Sequence, residues 1–466
     1  MAFGFLQTMS AFLTFLKPIT EGKNIYISGV GGTGKSYLLK ELHAHFTAAG
    51  KTCFLTSTTG VSAFNIGGQT VHSWCSVVMP EKIPQDIPAW LAGKARGVKS
   101  RKKPYQRILT AEILFIDEIS MLGSSYLEIV DWICKTLRGK SAPFGGIQIV
   151  CSGDMLQLPP VNDGMPFISD VWKDLNFSYF TLEKRHRFPD PTFADLLSRA
   201  RLGELTDADA LMLNDRVQKP PSSTTVVFPR RADVDRINSR ECLRLKGIEY
   251  PLTAIIHEQT CTGQVRLTKI PPQISWPLET TLKFKIGAEI MLLVNLDIAG
   301  GLVNGTRGII QTINTDTIKM KTDDGQIVEI ARSSFDIEDG DREFNFQQFP
   351  LTLAWAVTIH KVQGCTLDAA CVDIGMKIFT AGQAYVALSR CRTLEGLYLT
   401  ERVYKHRVFA EKIAVAFERE MAQKTTFVDV TVPPDRVCVV CEKKFVEGET
   451  ANRNSAGAHG HPDCAL

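Results

Sequence analysis

Eight consecutive residues, Gly29-Val30-Gly31-Gly32-Thr33-Gly34-Lys35-Ser36, fit the pattern G-x-x-x-x-G-K-[S/T]. They follow an apolar β-prone run and open a helix-prone one, the context in which this pattern wraps a phosphate. Gly29, Gly31, Gly32 and Gly34 let backbone amides, including that of Thr33, close around phosphate oxygens, and the helix N-terminus adds positive potential. Lys35 is expected to neutralise the β- and γ-phosphates, and Ser36 to hold Mg²⁺ through its hydroxyl. About 80 residues on, the apolar run Ile113-Leu114-Phe115-Ile116 ends in Asp117-Glu118. Asp117 suits the same Mg²⁺, and Glu118 suits orienting and deprotonating the attacking water. Past a third apolar run, in Gly153-Asp154-Met155-Leu156-Gln157-Leu158-Pro159-Pro160, Gln157 can sense a γ-phosphate by hydrogen bond, and the two prolines stiffen the loop. Together these residues read as a site that hydrolyses Mg·ATP.

Such a site needs a rigid sheet beneath it. Asn24–Ser28, Thr52–Thr56, Glu112–Ile116 and Ile147–Ser152 read as short buried strands, with a helix over Ser36–Ala49 and another helical stretch before the last strand. Buried strands alternating with helices predict an α/β fold with a parallel sheet covered on both faces. A second alternating block begins near Thr181. From about Pro251 to Phe349 it gives way to short strands and tight turns, among them a hairpin signal at Asp323-Asp324-Gly325. The expected organisation is therefore a first domain over 1–180 with a basic insert at about 75–108, and a second over 181–425. A small β-barrel is expected within the second at about 251–349, followed by a tail over 426–466 that passes through Pro433-Pro434.

Composition bounds the rest. With 466 residues the chain has room for two to four domains, and 44% hydrophobic with 22% charged residues describes an ordinary globular protein. A formal net charge of +3 means that any affinity for nucleic acid must come from local patches. One such patch is Gly93–Arg107, with seven basic residues and no acid. The apolar N-terminal stretch has no basic residue before Lys17 and recurs at helical spacing, which predicts a packed amphipathic helix rather than a secretion signal. No apolar window is long enough to span a membrane. Most of the twelve cysteines are scattered, as in a reducing cytosolic or nuclear setting. The exceptions are Cys438-x₂-Cys441 and His461-x₂-Cys464, whose spacing is that of a structural Zn²⁺ site, with His459 an alternative ligand. Such a tail could bind nucleic acid, bind a partner protein, or lock the terminus.

Six segments in order, GVGGTGKS, TSTTGVSAFNIGGQTVHSW, FIDEIS, GDMLQLPP, LAWAVTIHKVQGCTLD and QAYVALSRCR, resemble the motif series of superfamily 1 helicases, in the branch that holds the PIF family, RecD and phage Dda. The resemblance runs from about residue 20 to 400. It implies two RecA-like domains, ATP and Mg²⁺ as cofactors, and movement 5′→3′ along single-stranded DNA at a fork, by a monomer. It implies that Arg390 is an arginine finger reaching the γ-phosphate and that Arg187 is a second phosphate-sensing arginine, with Arg185 competing for that role. Gln363 and Gly364 would couple strand grip to nucleotide, and Gln7 would contact adenine, at a longer spacing than the family's. Thr58, Phe64 and His72 of the first domain, and His360, Lys361 and Thr366 of the second, would hold DNA, with aromatic faces suited to base stacking. The basic insert matches a duplex-splitting wedge, and the barrel matches an element closing over the strand. An RNA helicase and a non-unwinding nucleotide-dependent clamp are the alternatives.

Overall fold

The apolar pentads become the middle of a parallel sheet. Ile25–Gly29 and Ile113–Asp117 are buried at every position, which fits strands covered on both faces. In the computed structural model the described residues are 12–428, apart from 78–85, 222–223, 261–262, 272–273, 275, 298–299 and 340–341, together with the backbone of 452–453 and 459–460. Gln7 and the four expected zinc ligands, Cys438, Cys441, His461 and Cys464, lie outside them.

The first sheet has seven strands in the spatial order Thr426–Val428, Ser178–Leu182, Ile25–Gly29, Gln148–Ser152, Ile113–Asp117, Cys53–Ser57, Gln69–Thr70, all parallel. The helix Lys35–Ala48 buries Leu38, Leu39, Leu42 and Phe46, a 3.6-residue stripe, against one face. The helix over 12–20 adds Phe15 and Ile19 to the same cluster, as its apolar spacing predicts. Burying each such side chain contributes about 1.5–3 kcal/mol.

Two expected boundaries move. Position 181 falls inside the strand Ser178–Leu182, and Thr426–Val428, assigned from sequence to the tail, is the edge strand beside it, with Phe427 opposite Thr181. The helix Lys412–Ala422 also returns to the first domain, burying Ala414 there and stacking Phe417 on Phe167 at 4.2 Å. The basic Gly93–Arg107 run lies in two helices, Ile87–Ser100, capped by the Asp86 side chain, and Lys102–Thr110. Ala95, Val98 and Ile108 are buried in the first domain's core, while Arg101 and Arg107 donate to the Ser76 and Ser73 carbonyls and Lys103 pairs with Glu343.

The second sheet has four parallel strands, Ala356–Thr358, Thr225–Phe228, Ala370–Val372 and Leu397–Leu399. Between its first two in sequence, antiparallel strands form sheets of four, two and five strands, running from Tyr250–Thr253 to Leu351–Leu353. The hairpin at Asp323-Asp324-Gly325 joins Thr317–Thr322 to Ile327–Ala331 in antiparallel register. Among the described residues no helix is long and apolar enough to cross a membrane, and Cys53, Cys75, Cys134, Cys151, Cys242, Cys365, Cys371 and Cys391 are free thiols.

Candidate nucleotide cleft and strand groove

The phosphate loop lies at the C-terminal end of the Ile25–Gly29 strand, where a parallel sheet aims its helix N-termini. Gly32 has φ +84°, and a Cβ there would stand 2.5 Å from the Arg187 Cβ, so a side chain is excluded twice over. The loop after Leu182 clasps this turn: the His186 N–H donates to the Gly32 carbonyl at 3.0 Å. Lys35 is buried, and its ammonium donates to the Gly29 carbonyl at 2.6 Å and the Val30 carbonyl at 3.1 Å. Burial pulls its pKa below the ordinary value, against the opposing pull of Asp154, Glu118 and Asp117.

Asp117 ends its strand with one carboxylate oxygen accepting from the Ser152 hydroxyl at 2.6 Å and the other, Oδ2, without a partner among the described residues. Glu118 follows in the left-handed region (φ 53°), strain of about 1–2 kcal/mol that a functional site retains. Its Oε2 is also buried and, among the described residues, unpartnered. Burial first, and the Asp117 charge second, push its carboxyl up to about 7. Two orphaned carboxylate oxygens on consecutive residues, with Ser36 lining the same cleft as Glu118, fit a hard divalent cation and its water.

A cleft of about 430 Å³ brings together Gly31, Gly32, Gly34, Lys35, Ser36, Glu118, Gln157, Arg187, Gly364, Thr366 and Arg390. Arg187 faces the loop and donates to the Ser389 carbonyl at 3.4 Å, whereas Arg185 turns away to the Ser198 hydroxyl. Arg390, 1% exposed, is tied to carbonyls of its own domain, those of Val386 at 2.7 Å and Cys365 at 3.2 Å. Burial disfavours both guanidinium charges, an effect an incoming phosphate would relieve.

A second groove, of about 450 Å³, adjoins the first and is lined by His360, Lys361 and Gln363 with Thr59, Ser62, Asn65 and Trp276. Glu118 and Gly364 line both. Lys361 pairs with Glu279 at 2.8 Å, and the Gln363 amide reaches Gln157 at 3.5 Å. Other expected strand contacts stand elsewhere. Thr366 lines the nucleotide cleft and not the groove. The Phe64 ring packs on Phe335 of the inserted strands at 4.7 Å, so that face is closed to a base. His72 stacks on Tyr126 at 4.0 Å, and burial lowers its pKa to about 4, leaving it neutral. The Thr58 hydroxyl donates to the Glu118 carbonyl at 3.2 Å, linking its loop to the carboxylate.

Sequence reasoning passed over a buried polar network behind the cleft. Asp154, fully buried, accepts from Arg201 at 2.8 Å, and Arg201 also pairs with Glu418 at 3.0 Å. Burial raises the Asp154 carboxyl's pKa, but Arg201 and Lys35 outweigh it and hold the carboxyl below its ordinary range. Asp154 stands three residues before Gln157, within a recognisable motif; Arg201 and Glu418 sit in no local pattern.

Comparison with known proteins agrees with this geometry. Residues 15–209 match the model of the PIF1-like helicase, and residues 273–313 match the 2B domain of the DNA helicase Pif1. The chain is 34% identical to the ATP-dependent DNA helicase Pif1 of Bdellovibrio bacteriovorus, over 82% of this chain and 85% of that one. It is 31% identical to the ATP-dependent DNA helicase PIF1 of Xenopus laevis, over 89% of this chain but 65% of the longer relative. Bacteroides Pif1 shares the fold at 29% identity, with a TM-score of 0.63 bound to single-stranded DNA, and at 28% identity with a TM-score of 0.72 when unliganded, the alignments covering 89% of this chain and 97% of those. The phosphate loop, the paired carboxylates and the second domain facing them thus sit in a shared framework, and the chain belongs to the PIF1-like family of ATP-dependent DNA helicases.

Proposed function

We propose that ATP turnover in the cleft drives stepwise 5′→3′ movement along a single DNA strand held in the adjoining groove, opening forked duplex as it advances. The observation that carries this reading is the shared wall: Glu118 and Gly364 face the nucleotide cleft on one side and the His360–Lys361 groove on the other. A change at the γ-phosphate then alters the strand grip without any long relay.

In this reading the Gly29–Ser36 loop cradles the phosphates, and Ser36 and Asp117 hold Mg²⁺, which shields the phosphate charge when bound. Glu118 takes the proton from the attacking water, Gln157 reports on the γ-phosphate, and Arg187 and Arg390 stabilise charge on the transferring phosphoryl group. Arg390 comes from the second domain, so hydrolysis depends on closure. His360, Lys361 and Gln363 hold the strand from the second domain, and Thr58 acts from the first. Opening one base-pair step costs about 1.4 kcal/mol on average, well within one turnover. The inserted strands act as a small β-barrel closing over the strand, steadied by Phe64 on Phe335 and by the Asn65 side chain accepting from the Asn295 N–H at 2.9 Å. Cys438, Cys441, His461 and Cys464 form a closed Zn²⁺ site that folds the tail and offers a surface to nucleic acid or a partner protein. The motor works as a monomer in a reducing compartment.

Strand separation on forks with either a 5′ or a 3′ tail tests the reading. Opening of the 5′-tailed fork alone, abolished by Lys35→Ala, is expected. Opening only of 3′-tailed forks would refute the polarity, and opening of neither would refute the motor.

A further inference from the structure

The helix Gln383–Leu388 carries more of the second domain to the phosphate loop than Arg390. Its cap, Gly382, has φ +77° and lies so close to the first domain that a Cβ would overlap the Gln157 carbonyl. One turn on, the Tyr385 hydroxyl, 3% exposed, accepts from the Gly31 N–H of the phosphate loop at 3.2 Å and donates to Asp154 Oδ2 at 3.3 Å. Asp154 is itself fixed by Arg201, which stands on the Pro191–Leu202 helix of the second domain's core. A Cβ on Gly31 would lie 3.8 Å from both the Tyr385 oxygen and an Arg390 terminal nitrogen. Gly31 thus sits where Tyr385, Arg390 and Arg187 converge, with Tyr385 alone bonded to its amide.

From this we infer that Tyr385 is a positioning residue for the hydrolysis assigned above: its hydroxyl fixes the helix against the phosphate loop so that Arg390 reaches the transferring phosphate. The inference rests on the proposed ATPase reading. Arg390 lines the nucleotide cleft while bonded to carbonyls of its own domain, so where its terminal nitrogens point depends on the seat of the helix it follows. The phenol supplies that seat with two hydrogen bonds, one to the loop that holds the phosphates and one to the buried carboxylate before Gln157. Burial, with the Asp154 charge second, keeps the phenol's pKa above its ordinary value, so the hydroxyl stays protonated and able to donate. Lys35 and the remaining loop amides hold the nucleotide without it. Losing the hydroxyl therefore affects the transition state more than the bound ground state.

The test is a double-mutant cycle on steady-state ATP hydrolysis by the full chain, with and without single-stranded DNA, using Tyr385→Phe, Arg390→Ala and the pair. Tyr385→Phe is expected to lower kcat about tenfold and to change the KM for ATP less than threefold. The pair is expected to match Arg390→Ala alone, because a helix that positions an absent guanidinium has nothing left to position. A further tenfold fall in the pair, an unchanged kcat, or a rise in KM alone would overturn the assignment. Hydrogen exchange on the wild-type chain without nucleotide gives a second readout that no variant's folding can spoil. A protected Gly31 amide is expected, and free exchange there counts against the latch. The basal rate alone carries the cycle, so absence of DNA stimulation would count against the motor and leave the outcome for Tyr385 unaffected.

Discussion

The raised carboxyl of Glu118 predicts a pH profile. Its ordinary value of 4.5 is lifted to about 7, by burial first and by Asp117 second, with Lys35 and Arg390 pulling the other way. A base works only when deprotonated, so raising its pKa moves the onset of activity upward, and activity is lost on the acid side. With a pKa near 7, about a tenth of the sites are ionised at pH 6 and about nine-tenths at pH 8, a rise of roughly tenfold. An unshifted glutamate would be almost fully ionised across that range and would give nearly none. The ratio kcat/KM reports the free enzyme, the state to which this geometry belongs. The assay is phosphate release at Mg·ATP well below KM, with saturating single-stranded DNA, in buffers of constant ionic strength from pH 5.5 to 8.5. The affinity for a fluorescent ADP analogue is followed in parallel, and it should stay level. Glu118→Gln, nearly isosteric and unable to accept the proton, should cost about 10²–10⁴ in kcat at pH 8. A flat kcat/KM profile, or a glutamine variant within tenfold of wild type, would refute the assignment of Glu118 as the base.

Three other outcomes follow from particular contacts. Arg201→Ala removes the ion-pair partner of the fully buried Asp154 and leaves its charge to Lys35 and to the Gln157 and Tyr385 hydrogen bonds, a loss of up to about 3–5 kcal/mol; chemical denaturation should show the loss, and a variant as stable as wild type would show that the pair contributes nothing. Phe64→Ala removes an aromatic pair worth about 0.5–1.5 kcal/mol beyond its buried area. Hydrogen exchange should then rise along Ser333–Asp339, whereas lost DNA affinity with unchanged exchange would restore a base-stacking role. Metal analysis of the purified chain should find one zinc per molecule, lost in Cys438→Ser while ATP hydrolysis persists; retained zinc in that variant would remove Cys438 from the ligand set.

The parts of the fold legible in the sequence were those whose signal is local. Gly29–Ser36 and Asp117–Glu118 announce themselves because the phosphate loop and the strand-end carboxylates each need a fixed run of residue types. The buried strands read correctly because both their faces are apolar. Thr426–Val428 was missed because three residues are too few for a period, and its place depends on an edge offered some 250 positions earlier by Ser178–Leu182. Charge masked the helices under Gly93–Arg107: Ala95, Val98 and Ile108 carry the buried stripe, but seven basic residues dominate the composition. Phe64 and His72 show the limit of residue type as a guide, since an aromatic ring suited to a base is equally suited to Phe335 or Tyr126. Asp154, Arg201, Glu418 and Tyr385 form one polar cluster from four distant stretches, and only the folded chain brings them together.

The return of Lys412–Ala422 and Thr426–Val428 to the first sheet means the backbone passes between the two lobes twice, once after Leu182 and again near Val408–Ala410. A lobe tethered by one strand of chain can swivel freely; one tethered at two points turns mainly about the line joining them. On the proposed reading the second lobe is a door on two hinges, whose swing would carry Tyr385 and Arg390 along a fixed arc onto the phosphate loop. Cutting the chain ahead of Lys412 would remove one hinge and leave every motif residue in place, turning a guided stroke into an unguided one.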